Sequence, residues 1–526
     1  MKSFRLSKDN TPHLTSFIHR YLNGDPVLSS FYNNSPTLEG IKKQIQEKKF
    51  SDHNRDVLHK TLLVQYSGIT LPEPVKINLN LLLDKNTFTI TTGHQPNFCT
   101  GPLYVLIKIA YIIKLSKLLN EKLTDFHFVP VYWMNSEDHD KEELNHFYIE
   151  NKKISWDTDQ VGPFGEFNTE GLKTFFENIS ETFPAQANNI KWVSDFYLSS
   201  KNVAEGMRKI INYLFGEDGL IIIDGNSKEL KKNFENPILE ELENSVTYKH
   251  VLAQNKILSE FVEPPVNPRE INLFLNDTNF RERIVLNGEE FHVFNSKIKF
   301  THDEIKKVLI NNPEKFSPNV LLRPLYQEMV LPNIVFAGGV NEITYWFQLK
   351  NLFNHFNIPF PVLMVRNSFT LMNSKINGYL EKHEIPIEKI FPTTEIKNYF
   401  IEKNTSFQHF LEDEKKDLIL IYERIRNVMI KYDKNLVRTV EGEKLKTLDS
   451  LVHFEKKARK VWENHNQSVL IELDEIANWI YPEKILQERK FNFLSHTEIT
   501  PLELCKELIK NTEPFDYRHI VLEFEN

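Results

Sequence analysis

The sequence predicts an α/β protein: a mostly parallel, doubly wound sheet core with an inserted α+β subdomain and an antiparallel helical coiled-coil arm. Three observations predict it. Five apolar strand candidates stand out, at 88–92, 127–134, 220–224, 333–337 and 361–365, and the first three and the last each lead through a polar turn into a helical pattern. That alternation places helices on the faces of a parallel sheet. A long segment, 235–318, interrupts the alternation between the third and fourth strands, and beyond Ser406 apolar residues step by three and four among Lys and Glu, the period of amphipathic helices.

Taken in order, the first strand ends in Thr91-Thr92-Gly93-His94-Gln95-Pro96-Asn97-Phe98-Cys99-Thr100-Gly101-Pro102 and is followed by an apolar helix from Leu103 to Leu119. A strand, a glycine-containing turn and a helix N-terminus together form a site for an anion, because turn N–H groups and the helix dipole both present positive charge. The run is neither GxGxxG nor a Walker loop, so spacing names no nucleotide. Gly93, His94, Gln95, Thr100 and Gly101 are therefore candidate site residues. Lys108 falls on the apolar arc of the helix, opposite Lys114, Lys117 and Glu121. A lysine there either snorkels to water or carries its ammonium to a phosphate or carboxylate.

The second strand, 127–134, runs into Asn135-Ser136-Glu137-Asp138-His139-Asp140. Adjacent carboxylates repel unless a cation joins them, and Mg²⁺, a substrate ammonium or neighbouring Lys and Arg would each serve. Glu137, Asp138 and Asp140 are the candidates for Mg²⁺, with no dedicated metal site assigned. His139, between two acids, is a candidate general base. The alternative is an acidic helix start capped by Ser136 or Asp138. The spacing of His139 and His146, with no thiolate nearby, argues against zinc.

The interruption at 235–318 carries a Pro-rich entry (262–268), short β-type runs at 270–275, 283–286 and 290–294, and a capping pattern, Thr301-His302-Asp303-Glu304. Arg323 precedes the fourth strand and Gly338-Gly339-Val340-Asn341-Glu342 follows it. Paired glycines permit positive φ or close backbone approach to a ligand; Arg323 suits a carboxylate or phosphate, and Asn341 and Glu342 open the next helix. Tyr345 and Trp346 are read as core. Arg366-Asn367-Ser368, after the last strand, is read as a phosphate-contacting turn, a helix cap, or both. In the arm, two long helices joined near Glu441-Gly442 form a hairpin of coiled-coil type, a shape that often mediates dimerisation. The expected boundaries are 1–234 and 319–385 for the core, 235–318 for the insertion, 386–480 for the arm and 481–526 for a C-terminal segment packing on the core.

At 526 residues the chain exceeds one ordinary core. Hydrophobic residues make up 40% and the net charge is −8, which argues against nonspecific nucleic-acid binding. Two cysteines, Cys99 and Cys505, form no disulfide framework and fit a reducing cytoplasm. Residues 1–20 lack an apolar signal core, and the greasiest helix is interrupted by lysines, so neither export nor a membrane span is expected.

These blocks together resemble the cysteine ligase family of bacillithiol biosynthesis, the BshC family. The resemblance is carried in chain order by Thr92-Gly93-His94-Gln95 with Thr100-Gly101-Pro102-Leu103-Tyr104 and Lys108, and by Val129-Pro130-Val131 with Glu137-Asp138-His139-Asp140. Further on it includes Leu322-Arg323-Pro324, Gly338-Gly339, Glu342-Ile343 with Tyr345-Trp346, and Leu486-Gln487-Glu488-Arg489. It implies a Rossmann-like core similar to class I amino-acid-activating enzymes, and a coiled coil that pairs two subunits as a homodimer. The chain lacks a full His-x-Gly-His, and only Arg366-Asn367-Ser368 stands where a Lys-Met-Ser-Lys-Ser loop would follow the last strand. The implied reaction joins cysteine to the amine of glucosaminyl-malate, with ATP, accompanied by Mg²⁺, activating the cysteine carboxylate as an adenylate or acyl phosphate. On that reading Lys108, the 93–104 turn and Arg366 stabilise phosphate charge. Arg323, Gly338, Gly339, Asn341, Glu342 and Ser368 complete the binding set, Glu137, Asp138 and Asp140 hold Mg²⁺ or amino groups, and His139 deprotonates the attacking amine. Family members commonly carry Gln where His94 stands, so Gln95 and His139 are the stronger catalytic candidates. A sugar-nucleotide transferase and a non-catalytic dimeric nucleotide- or thiol-binding protein are the alternatives.

Overall fold

The computed structural model describes residues 1–7, 11–404 and 411–524; within the expected arm, 386–480, residues 405–410 lie outside them. All five predicted strands form, as β1 (Thr87–His94), β2 (His127–Met134), β3 (Ile221–Asp224), β4 (Asn333–Gly338) and β5 (Val362–Val365). They make one sheet in the order β5-β4-β1-β2-β3, every pairing parallel. The chain moves outward from β1 to β3, then returns to lay β4 on the other side of β1. The β1/β4 boundary is thus the topological switch point, where open α/β sheets bind ligands.

β1 is a buried, threonine-rich strand, and β4 satisfies the hydroxyls of Thr89, Thr91 and Thr92. Thr89 and Thr91 donate to Asn333 Oδ1 at 3.2 and 2.7 Å, and Thr92 donates to the Ala337 carbonyl at 2.7 Å. The helix after β1, α1 (Tyr104–Lys122), is buried on almost every side because the C-terminal helix Pro501–Asn511 covers the face turned away from the sheet.

The insertion carries a five-stranded antiparallel sheet in the order Lys299–Phe300, Glu290–Val293, Phe280–Asn287, Leu273–Asp277, Phe316–Pro318. The expected capping box is present, with Thr301 and Glu304 reciprocally bonded at the start of His302–Asn311. The helix Val246–Leu258, within the predicted insertion, packs instead against core residues 347–355.

Three sequence expectations are corrected. The last core strand does not lead into a helix: 366–368 bridges β5 to a further strand, Phe369–Met372. That strand pairs with Ile520–Glu523, which pairs in turn with Lys2–Arg5. Both chain termini therefore join one small sheet, a long-range pairing that local pattern does not reveal. The acidic run after β2 is capped by Asp140, whose Oδ1 accepts from the Glu143 amide at 3.2 Å at the start of Lys141–Leu144, not by Ser136 or Asp138. The arm turns at 430–435, between α4 (Glu412–Met429) and α5 (Leu436–His465), not at Gly442. Gly442 lies inside α5 with open space about its α-carbon; a glycine costs an exposed helix only about 1 kcal/mol, whereas Asp433 closes the real turn on the Asn435 amide at 2.8 Å.

α4 and α5 are antiparallel, held by Lys415–Glu455 at 2.8 Å and Tyr422–Thr447 at 2.7 Å. Their apolar residues Leu420, Ile421, Val428, Leu445 and Val461 remain exposed.

The loop after β2 is fastened to the insertion by a buried ion pair, Lys231 with Glu137; the same ammonium donates to the Phe316 carbonyl at 2.8 Å. Breaking such a pair leaves a buried charge without its partner, at a cost of about 3–5 kcal/mol. Lys231→Met is expected to lower unfolding free energy by that amount in urea denaturation; a loss under ~1 kcal/mol would show that the pair is solvated.

Candidate active site

Above the carboxyl ends of the strands, between the sheet and the insertion, lies a cavity of about 950 Å³. β1 contributes Gly93, His94 and Gln95, the loop after β2 contributes Asp138, His139 and Asp140, and the turn after β4 contributes Gly339, Asn341 and Glu342. Arg323, which opens α2 (Arg323–Val330), and Arg366, after β5, also reach it. The predicted convergence of separate loops on one rim is therefore present for these eleven residues. Six predicted site residues do not line the cavity: Thr100, Gly101, Lys108, Glu137, Gly338 and Ser368.

Each of the six has a structural occupation. The Cys99-Thr100-Gly101 backbone has φ of 51°, 68° and 63°, conformations that cost energy at the two non-glycine positions. It is braced from outside: Asn492 Nδ2 donates to the carbonyls of Cys99 and Gly101 at 2.8 and 2.5 Å, and the Cys99 amide donates to Tyr197 Oη at 3.0 Å. The turn is buried packing, not an anion cradle, and burial raises the Cys99 thiol well above its ordinary pKa. Lys108 neither snorkels nor meets the cavity. Its ammonium donates to the Gly93 carbonyl at 2.5 Å and to Glu342 Oε1 at 2.8 Å. Glu137 is committed to Lys231. Gly338 has negative φ and is small because a Cβ there would lie 3.0 Å from both Glu342 and Phe336. Ser368 bonds His519 Nδ1 at 3.0 Å, away from the cavity.

Among the lining residues, Gly93 lets β1 lie close against β2: a Cβ would stand 3.3 Å from the Trp133 carbonyl. Arg323 donates to Gln327 Oε1 at 2.9 Å and to Tyr345 Oη at 3.3 Å. Tyr345 thus borders the site, while Trp346 stacks on Phe336 in the core, ring centroids 4.3 Å apart. Glu342 also caps α3 (Val340–Trp346), accepting from the Gly339 amide at 2.9 Å. Arg366 is paired with Glu488 at 2.8 Å.

Asp138 accepts from Gln95 Nε2 at 2.9 Å and from the His139 amide at 2.8 Å. Burial alone would raise its pKa, but the neighbouring His139 ring, the Arg281 charge and the hydrogen bonds from Gln95 and the Asp140 amide outweigh burial and hold it well below the carboxylate range. His94 shares a 3.0 Å hydrogen bond with Tyr104 Oη. Burial first, and then the Lys108 charge, lower its pKa to about 3. Among the described residues, no three His, Cys, Asp or Glu side chains gather as a metal cluster.

Sequence reading missed the far wall. The insertion presents Arg269, Arg281 and Arg283, and the C-terminal segment presents Arg489. Glu143 also lines the cavity, its pKa raised by burial and by the charges of Asp138 and Asp140. The Leu486–Arg489 run was visible as a motif, and its parts now separate. Gln487 accepts from the Leu371 amide at 2.8 Å, Glu488 holds Arg366 and the Phe369 amide, and Arg489 faces the cavity. The insertion arginines lie within strand-like or loop sequence and carried no local signal.

The fold and site define a Rossmann-like α/β protein whose ligand crevice, at the sheet switch point, is closed by an arginine-bearing insertion. Residues 1–367 match the N-terminal Rossmann-like domain of bacillithiol biosynthesis BshC, and residues 369–524 match its C-terminal coiled-coil domain. Proteins named "Putative cysteine ligase BshC" are similar over nearly the whole length. That of Flavobacterium johnsoniae is 39% identical, covering 93% of each chain; that of Flavobacterium psychrophilum is 38% identical, covering 96% of this chain and 95% of the relative. That of Christiangramia forsetii is 36% identical, covering 99% and 98%. The chain belongs to the BshC family of bacillithiol biosynthesis.

His94 gives a direct test of the site's electrostatics. Its folded pKa lies below the unfolded value near 6.5, so its contribution to stability is full above that pH and is lost as pH falls towards about 3. The His94 ring resonance, assigned by its loss in His94→Gln, is expected to stay flat between about pH 5 and 8; a midpoint near 6.5 would show the ring to be solvated.

Proposed function

We propose that this protein is a ligase that joins cysteine to the amine of glucosaminyl-malate, with ATP activating the cysteine carboxylate as an adenylate or acyl phosphate. The observation that carries the reading is the charge pattern of the crevice. Six arginines line it, and they fall into two sets. Arg281, Arg323 and Arg366 are occupied by protein partners. Arg269, Arg283 and Arg489 have no ion-pair partner among the described residues. Unpaired guanidiniums in a shared crevice suit ligands rich in carboxylate and phosphate. Arg269 and Arg283 lie close enough for the charge of Arg283 to lower the Arg269 pKa, after burial; that mutual repulsion is relieved by a dianion such as the malate moiety. Arg489, across the crevice beside Gly339, faces the nucleotide phosphates, with Mg²⁺ arriving on them. Asp138, Asp140 and Glu143 offer the opposite charge to the ammonium groups.

The protein acts as a cytoplasmic homodimer on this reading. Two buried free thiols suit a reducing compartment, and no helix among the described residues is long and apolar enough to cross a membrane. The apolar residues that α4 and α5 leave exposed are covered by the same hairpin of a second copy.

Purified protein given cysteine, glucosaminyl-malate and ATP is expected to yield the amide, identified by mass, with nucleotide consumed in step; a glycoside, or no nucleotide-dependent product, would overturn the reading. A hydrogen bond to a charged group contributes about 1.5–3 kcal/mol. Arg269→Ala and Arg283→Ala are therefore each expected to raise KM for glucosaminyl-malate by about 10–100-fold, leaving KM for ATP within a fewfold. Equal effects on both would contradict the assignment. Glu in place of Ile421, Val428 and Leu445 together is expected to convert the dimer to monomer in sedimentation; an unchanged mass would exclude the arm as the interface.

A further inference from the structure

His139 was expected to be a base, and its surroundings argue otherwise. Arg281 lies on the insertion strand Phe280–Asn287, and its guanidinium is committed at every edge. Nε donates to Ser317 Oγ at 3.0 Å, Nη2 to the Pro318 carbonyl at 3.5 Å, and Nη1 lies 3.1 Å from His139 Nδ1. Its flat face covers the Phe274 ring, 3.9 Å from the centroid, and the His139 ring packs on the same phenyl at 5.6 Å. Arginine keeps its charge and has no acceptor atom, so in the Arg281–His139 bond the imidazole Nδ1 must supply the lone pair. A neutral imidazole whose Nδ1 accepts carries its hydrogen on Nε2. That nitrogen, on the opposite side of the ring, has no protein partner among the described residues, and His139 lines the crevice.

A competitor for Nδ1 stands close by. Asp138 Oδ1 is 3.7 Å from it. Were Arg281 absent, that carboxylate would favour a hydrogen on Nδ1 and leave the lone pair on Nε2. Arg281 thus decides between two tautomers with opposite roles at the crevice: donor or acceptor.

We propose that Arg281 is a positioning residue that holds His139 as the Nε2–H tautomer, so that His139 meets the reacting acyl group as a hydrogen-bond donor and not as the base for the amine. The identity of the reacting group rests on the ligase reading; the tautomer does not. A donor at that place stabilises the oxygen that gains negative charge as the amine adds to the activated carboxyl. It also gives the insertion a second task besides closing the crevice: its Phe274 and Arg281 set the state of a residue carried by the core.

The test is a long-range proton–nitrogen correlation spectrum of full-length protein labelled with [¹⁵N]histidine, the His139 signals being assigned by their loss in His139→Gln. Wild type is expected to show the Nε2–H pattern and Arg281→Met the Nδ1–H pattern. An Nδ1–H pattern in wild type, or an unchanged pattern in Arg281→Met, would overturn the proposal. The wild-type spectrum decides the matter even if Arg281→Met does not fold. In the product assay Arg281→Met is expected to lose about a hundredfold in kcat with KM for both substrates within twofold, and Arg281→Lys, which keeps the donor charge, to recover at least a tenth of wild-type kcat. A loss confined to KM would instead make Arg281 a substrate contact. Absence of product in wild type with the expected spectra would sink the ligase reading and leave the tautomer assignment standing.

Discussion

A single buried ammonium sets the geometry of the crevice. Lys108 stands one turn into α1, the helix that follows β1, and reaches both the Gly93 carbonyl near the end of β1 and the carboxylate that opens α3 after β4. These are the two strands on either side of the switch point. A parallel sheet tends to splay there, because the two chain connections leave in opposite directions. The Lys108–Glu342 pair closes the gap beneath the crevice floor, and Glu342 uses its other oxygen to cap α3. The charge is affordable in the interior only because both of its partners are fixed by strand ends. Burial and the same Lys108 charge keep His94 neutral, so the floor of the crevice is polar without carrying a mobile proton.

Around that floor the positive charges divide by commitment. Arg281, Arg323 and Arg366 are held by histidine, glutamine, tyrosine and carboxylate partners, and they shape the cavity. Arg269 and Arg283 on the insertion and Arg489 in the C-terminal run have no ion-pair partner among the described residues. The division follows three separate segments: the core carries the shaped floor, while the insertion and the C-terminal run carry the arginines proposed to receive the ligands. It also explains the ion pair of Glu137 with Lys231, which binds the acidic loop of the core to the insertion strand at Phe316.

Much of this was legible in the sequence. The strands of the core announced themselves as short apolar runs ending in polar clusters, and the rim residues Gly93, His94, Gln95, Asp138, His139, Gly339 and Glu342 sat where strand ends had to be. What failed to read out depends on contacts distant along the chain. Lys108 looked like a ligand residue because its partner lies 234 residues away. The 99–101 turn looked like a cradle because Asn492, which braces it, is near the other terminus. Glu137 and His139 are neighbours with opposite fates, one turned inward to Lys231 and the other outward to the crevice, and no one-dimensional pattern separates them. The place of the hairpin turn is obscured for a local reason: Gly442 suggests a break, while the polar run ending in Asn435 makes it.

The cavity between the sheet rim and the insertion is the proposed meeting place of the substrates. A crystal structure of the protein with glucosaminyl-malate tests it most directly. The malate carboxylates are expected against Arg269 and Arg283, with the sugar amine turned towards Asp138 and Glu143. Density for the ligand anywhere else, such as between the arm and the core, with the crevice empty, would contradict it.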